Sequence, residues 1–114
     1  MNDTLTYDNS GGLQMVVDLT EATIRTRRAR KAKPRTKTEP LTAEEVATLR
    51  ALTEALHAVG DEHVRTQFAS GAEQIVACLG GQTVTVVHES DGRAGRPELE
   101  AIGAWVRERL NPRR

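Results

Sequence analysis

Arg25, Arg27, Arg28, Arg30, Lys31, Lys33, Arg35 and Lys37 put eight cations into fourteen consecutive positions, with no acid among them. Guanidinium and ammonium groups at that density suit a polyanion. Each phosphate they neutralise releases a condensed counterion, so affinity falls with salt at a log–log slope of roughly −0.9 per contact on duplex DNA. Such contacts hold a backbone without reading its sequence. The same run also suits an acidic protein surface, a solvated linker or a targeting-like patch. Residues 1–24 carry four acids and no base, residues 39–114 carry twelve acids and eight bases, and the formal net charge is zero. No global field draws the chain to nucleic acid or membrane, so any attraction resides in this one segment. The acidic first segment is able to fold back and mask it.

Other chemistry is sparse. Two short helices expected at 62–69 and 71–79, followed by a strand, resemble the order of a winged helix–turn–helix. The second of them offers Glu73 and Gln74 but no cation where phosphates must be approached. Arg93-Ala94-Gly95-Arg96-Pro97 resembles the Gly-Arg-Pro core of an AT-hook, although Asp91 and Glu98 flank it where a hook carries cations. Gly80-Gly81-Gln82 is the tripeptide of peptide-release factors without their longer signature; a helix end followed by a strand accounts for both glycines. His57 and His63, or Cys78 and His88, do not have metal-ligand spacing, and the one cysteine has no internal disulfide partner. Cys78, beside Ile75, Val76 and Leu79, reads as a small buried hydrophobe. No nucleophile triad, phosphate loop or dinucleotide fingerprint is present. The expectation is a non-enzyme with no catalytic residues, no metal and no cofactor. Tyr7, Phe68 and Trp105 are the only aromatics, too few and too dispersed to stack a single strand.

The elements that position these groups follow from periodicity. Leu5 and Tyr7 alternate with threonines, and Leu13, Met15, Val17 and Leu19 alternate with Gln14, Val16 and Asp18. Asp8 to Gly12 between them is turn chemistry, which gives a β-hairpin. Two strands are marginal alone, and Gln82 to His88 is the candidate third. Thr42-Ala43-Glu44-Glu45 is a capping box that starts a helix, with Val46, Leu49, Leu52, Leu56 and Val59 as its apolar stripe and Gly60 as its stop. A second helix holds Val64 and Phe68. Ser70 to Glu73 repeats the capping pattern ahead of a third, whose face is Ile75, Val76 and Leu79. Pro97 opens a last helix, with Leu99, Ile102, Val106 and Leu110 as its buried row.

The fold class expected is α+β: an N-terminal β-hairpin at 1–24, a basic arm or linker at 25–40, and a mainly helical domain at 41–114 of about four helices with one additional strand. The arm holds too little apolar surface to offset its backbone entropy. An apolar content of 38% predicts a small aliphatic core. With no apolar run long enough for a span and no signal-like start, the expected setting is cytoplasmic, without membrane partners. Two functions fit. One is a small non-catalytic nucleic-acid-binding accessory protein, a regulator or architectural factor holding DNA in preference to RNA through the eight cations. The other is a protein–protein interaction or assembly protein, such as an inhibitor, adaptor or virion component, whose arm or hairpin docks on an acidic partner. A homodimer formed by strand addition is consistent with either.

Overall fold

The computed structural model describes residues 2–9, 12–30, 33–65, 73–89 and 97–110, and at 29, 30, 33–35, 63–65, 88, 89, 99 and 110 it describes the backbone alone. Alternating burial begins at once: β1 (Thr4–Asn9) turns Leu5 and Tyr7 inward, and β2 (Leu13–Asp18) turns Met15 and Val17 inward. The two pair antiparallel with Leu5 opposite Val17 and Tyr7 opposite Met15, which is the expected hairpin. The chain then continues in strands. β3 (Thr23–Arg30) and β4 (Lys33–Pro40) form a second hairpin, followed by α1 (Ala43–Val59), β5 (Glu62–Arg65), β6 (Glu73–Leu79), β7 (Gln82–Glu89) and α2 (Pro97–Leu110). All seven strands join one sheet in the order β4-β3-β2-β1-β6-β7-β5, antiparallel throughout except that β5 runs parallel to β7.

Register lines up the core in two rows across the sheet. Ile24, Val17, Leu5, Ala77 and Val84 make one row, and Thr26, Met15, Tyr7, Ile75 and Val86 make the other. Leu49 and Leu56 of α1 and Ile102 and Val106 of α2 pack on these rows, so both helices cover one face of the sheet. The opposite face carries Thr38, Arg25, Val16, Thr6, Val76 and Thr85 in one row and Thr36, Arg27, Gln14, Asp8, Gln74 and Val87 in the next. No described element packs over that face. The capping box of α1 is formed: the Glu45 N–H donates to Thr42 Oγ1 at 3.1 Å and the Thr42 N–H donates to Glu45 Oε1 at 3.0 Å. Among the described residues no helix is long and apolar enough to cross a membrane.

The expected unit of about four helices with one strand is overturned, since the described residues hold two helices and a seven-stranded sheet. Residues 73–79 are a strand because Ile75 and Ala77 follow a period of two into the core. Val76 and Cys78 on the other face give the same stretch enough apolar character to imitate a helix. Glu62–Arg65 is the edge strand β5, and the rest of the expected second helix, with Phe68 and the Ser70-Gly71 cap, lies outside the described residues. The helix–turn–helix order therefore disappears. Gly80 and Gly81 form the two-residue turn of the β6–β7 hairpin, both with positive φ, which is the demand of a type I′ turn. The AT-hook-like residues 93–96 lie outside the described residues. The basic connector is also overturned: β3 extends from position 23 to 30 and β4 from 33 to 40, so most of the segment expected as an arm is paired strand.

The link from β2 to β3 is braced by Asp18, whose Oδ1 accepts the N–H groups of Thr20 and Glu21 at 3.0 and 2.9 Å. It leaves Ala22 at φ +56°, a left-handed backbone held in place as the Ala22 carbonyl accepts the Leu41 N–H at 2.8 Å. A Cβ in that region costs about 1–2 kcal/mol. The looser unfolded chain of a glycine takes back part of this. Ala22→Gly is accordingly expected to raise stability by about 0.5–1 kcal/mol, read as a higher urea midpoint at unchanged slope.

Candidate nucleic-acid interface

The cationic segment is a β-ribbon at one end of the sheet. Ile24, 1% exposed, anchors β3 in the core, and the ladder to β2 extends from Thr23 opposite Asp18 to Arg28 opposite Leu13. Beyond that pair only β3 and β4 continue, with Ala29 opposite Pro34 and Arg30 opposite Lys33. β4 is an edge strand, and it tolerates Pro34 and Pro40 because an edge position can leave its missing donor facing solvent. Arginine supports such a strand despite its charge, since its aliphatic stem lies along the sheet while the guanidinium stays in water.

Register sorts the eight cations. Arg25 and Arg27 are exposed on the face away from the helices, directly opposite Thr38 and Thr36, which are exposed as well. Arg28 and Lys37 belong to the helix-bearing face, half-buried and exposed respectively. Arg30, Lys33 and Arg35 occupy strand positions of that same parity, with Arg28 opposite Arg35. Lys31 lies outside the described residues. Among the described residues no acid is within ion-pair distance of Arg25, Arg27 or Arg28, and Lys37 meets Glu39 at 3.7 Å while 74% exposed. Two of the four acids of the first segment are engaged elsewhere. Asp18 braces the β2–β3 turn and accepts the Asn2 amide at 2.8 Å, and Asp3 accepts Arg50 at 2.8 Å and the Gly80 N–H at 3.0 Å.

At the base of the ribbon, β4 and α2 flank an open depression of about 540 Å³ lined by Lys37, Glu39, Glu45, Trp105, Glu108 and Arg109. Arg109 organises it: its guanidinium donates to Glu45 Oε2, approaches Glu39 at 3.8 Å and sits 6.0 Å above the Trp105 ring. These contacts tie α2 to the cap of α1 and to the end of β4. His57 is likewise structural, its Nε2 lying 3.1 Å from the Gln82 carbonyl. No three His, Cys, Asp or Glu residues converge as a metal site among the described residues. Cys78 is a half-buried free thiol on the uncovered face, one strand from Thr4 and Thr83, and not a core residue.

Three carboxylates sit below their ordinary range. The Arg50 hydrogen bond and then the Gly80 N–H lower Asp3, the Asn2 amide and then the Glu21 and Thr20 N–H groups lower Asp18, and the Thr42 N–H and then the Arg109 charge lower Glu45. A carboxylate depressed by folding contributes stability that is present above its unfolded pKa and lost as pH falls through its folded one. The melting temperature should hold above about pH 5 and fall steadily below about pH 4. Asp3→Asn should melt lower than the parent chain at pH 7, and the gap should narrow by pH 3. A constant gap would mean that Asp3 acts by shape alone.

All eight cations were visible in the sequence. Their division between two faces is not legible there, nor is the placement of Thr36 and Thr38 beside Arg27 and Arg25, although the alternation Thr36-Lys37-Thr38 is the period-two signal of a strand. The tie from Asp3 to Arg50 joins residues 47 positions apart and left no local trace. No known protein family matches this chain, and no curated protein matches it.

Proposed function

We propose that this chain is a small non-catalytic nucleic-acid-binding protein, regulatory or architectural, that grips phosphates through the β3–β4 ribbon and takes DNA in preference to RNA. One observation carries the reading: Arg25, Arg27 and Lys37 are exposed along the β3–β4 pair, and among the described residues no acid lies within ion-pair distance of either arginine. Their charge is therefore available to a polyanion. Recognition by charge is also favoured over strand addition to a partner, because Pro34 and Pro40 deprive the β4 edge of two donors and its cations repel a second copy. The lone thiol, Cys78, suits a reducing cytoplasmic setting.

Electrophoretic mobility shift with a 20-base-pair mixed-sequence duplex tests the proposal. Were five phosphates engaged, affinity would drop about 500-fold between 50 and 200 mM salt. The absence of any shifted band at 50 mM would end this reading and favour an acidic protein partner.

A further inference from the structure

The proposal above concerns phosphates; resting on it, we infer that the uncovered face of the ribbon reads base edges in the major groove of B-form DNA, through Arg25 and Arg27 with Thr36 and Thr38 beside them. Those four side chains form a square of two direct cross-strand pairs, Arg25 with Thr38 and Arg27 with Thr36, all exposed on the same face. Strands lie about 4.8 Å apart and alternate side chains on a strand about 7 Å apart, so the square spans two or three base pairs. A major groove about 12 Å wide admits two strands. β2 still pairs with β3 beside Arg25 and Arg27, so the groove takes the outer β3–β4 edge of the sheet, with Gln14 and Val16 at its rim. Arginine is the side chain that fits guanine O6 and N7 with two parallel hydrogen bonds, and the threonine methyl packs on the thymine methyl.

The rest of the sheet bounds the footprint. Strands rotate about 20–25° relative to their neighbours, which turns β4 some 60–75° from β1 and makes the β3–β4 corner a projecting edge. Asp8 of β1 and Asp18 of β2 lie on the same uncovered face and repel phosphates, so a duplex is confined to the two outermost strands. Double-stranded RNA does not fit this surface, because its major groove is deep and too narrow for side chains to read.

Two base analogues separate the grooves. Replacing guanine by 7-deazaguanine removes the N7 acceptor on the major-groove edge, while replacing it by inosine removes only the minor-groove amine. Fluorescence anisotropy with a 20-base-pair G·C-rich duplex should show at least a fivefold loss of affinity with 7-deazaguanine and less than a twofold change with inosine. A chain carrying Arg25→Lys and Arg27→Lys keeps its charge but not the two-pronged donor geometry. It should retain the salt slope and lose its sensitivity to 7-deazaguanine. Binding that ignores both analogues would overturn base reading and leave the phosphate grip standing, and a dominant inosine effect would overturn it in favour of the minor groove. Failure to bind any duplex at 50 mM salt would remove this inference and the parent proposal together.

Discussion

A chain carrying Arg25→Gln, Arg27→Gln, Arg28→Gln and Lys37→Gln is expected to lose about three orders of magnitude in duplex affinity at 0.1 M salt, yet to melt no lower than the parent chain. The first half has two sources: Arg28 and Lys37 account for about two phosphates, each worth about 0.9 of a decade at that salt, so the log–log slope should flatten by about two, and the lost guanine contacts of Arg25 and Arg27, about 1–3 kcal/mol each, supply the rest. The second half follows from the positions. Lys37 meets Glu39 across 3.7 Å on an exposed surface, where an ion pair contributes little. Arg25, Arg27 and Arg28 have no acid within ion-pair distance among the described residues, so glutamine there breaks no described ion pair. Glutamine also keeps part of the stem that lies on the sheet. Binding and stability thus move in different directions. A ribbon whose cations served the fold would lose both together, and that result, or unchanged affinity, would refute the electrostatic assignment.

Where the chain alternates cleanly, as at Leu5, Tyr7, Met15 and Val17, local pattern and tertiary role coincide and the first hairpin can be read directly. The capping box at Thr42 and the proline at 97 likewise mark helix starts by chemistry that acts within one turn. β3 and β4 are different. Thr23 to Pro40 contains Ile24 as its one large apolar residue, so its order derives from the ladder that β2 supplies and not from surface it buries itself. An entropy argument confined to the segment omits that partner and returns an unfolded arm. β6 fails for the opposite reason: Ile75, Val76 and Leu79 satisfy a helix stripe, Ile75 and Ala77 satisfy a strand, and the neighbours β1 and β7 decide. The cations could be counted without the fold, but which of them share a face with Thr36 and Thr38 depends on pairing between β3 and β4. The site is therefore legible in composition and hidden in geometry.

Leu49→Ala should produce the converse of the charge-neutralised chain: a large loss of stability with binding intact in the molecules that remain folded. Leu49 is 1% exposed and sits where α1 meets Tyr7, Met15 and Ile102, beside a void of about 10 Å³. Truncating a buried leucine costs about 2–5 kcal/mol, more where surroundings cannot collapse. Here the strands beneath are fixed on both sides by ladder pairing, and the helix above is pinned by its cap and by the Arg109 contact with Glu45. Little relaxation is available, which puts the expected cost in the upper half of that range. For a domain of this size each kcal/mol moves the melting temperature by about 4–8 °C, so a depression of at least 12 °C is expected by calorimetry. Leu49→Met, which conserves volume, should cost less than about 1.5 kcal/mol. At 10 °C, with the Ala variant still folded by circular dichroism, its duplex affinity should match the parent chain, because Leu49 lies on the covered face and Arg25 and Arg27 on the other. Affinity that fell with the core while the ribbon stayed paired would mean that the two faces of this sheet are energetically coupled, and that the cations are held for DNA by the packing beneath them.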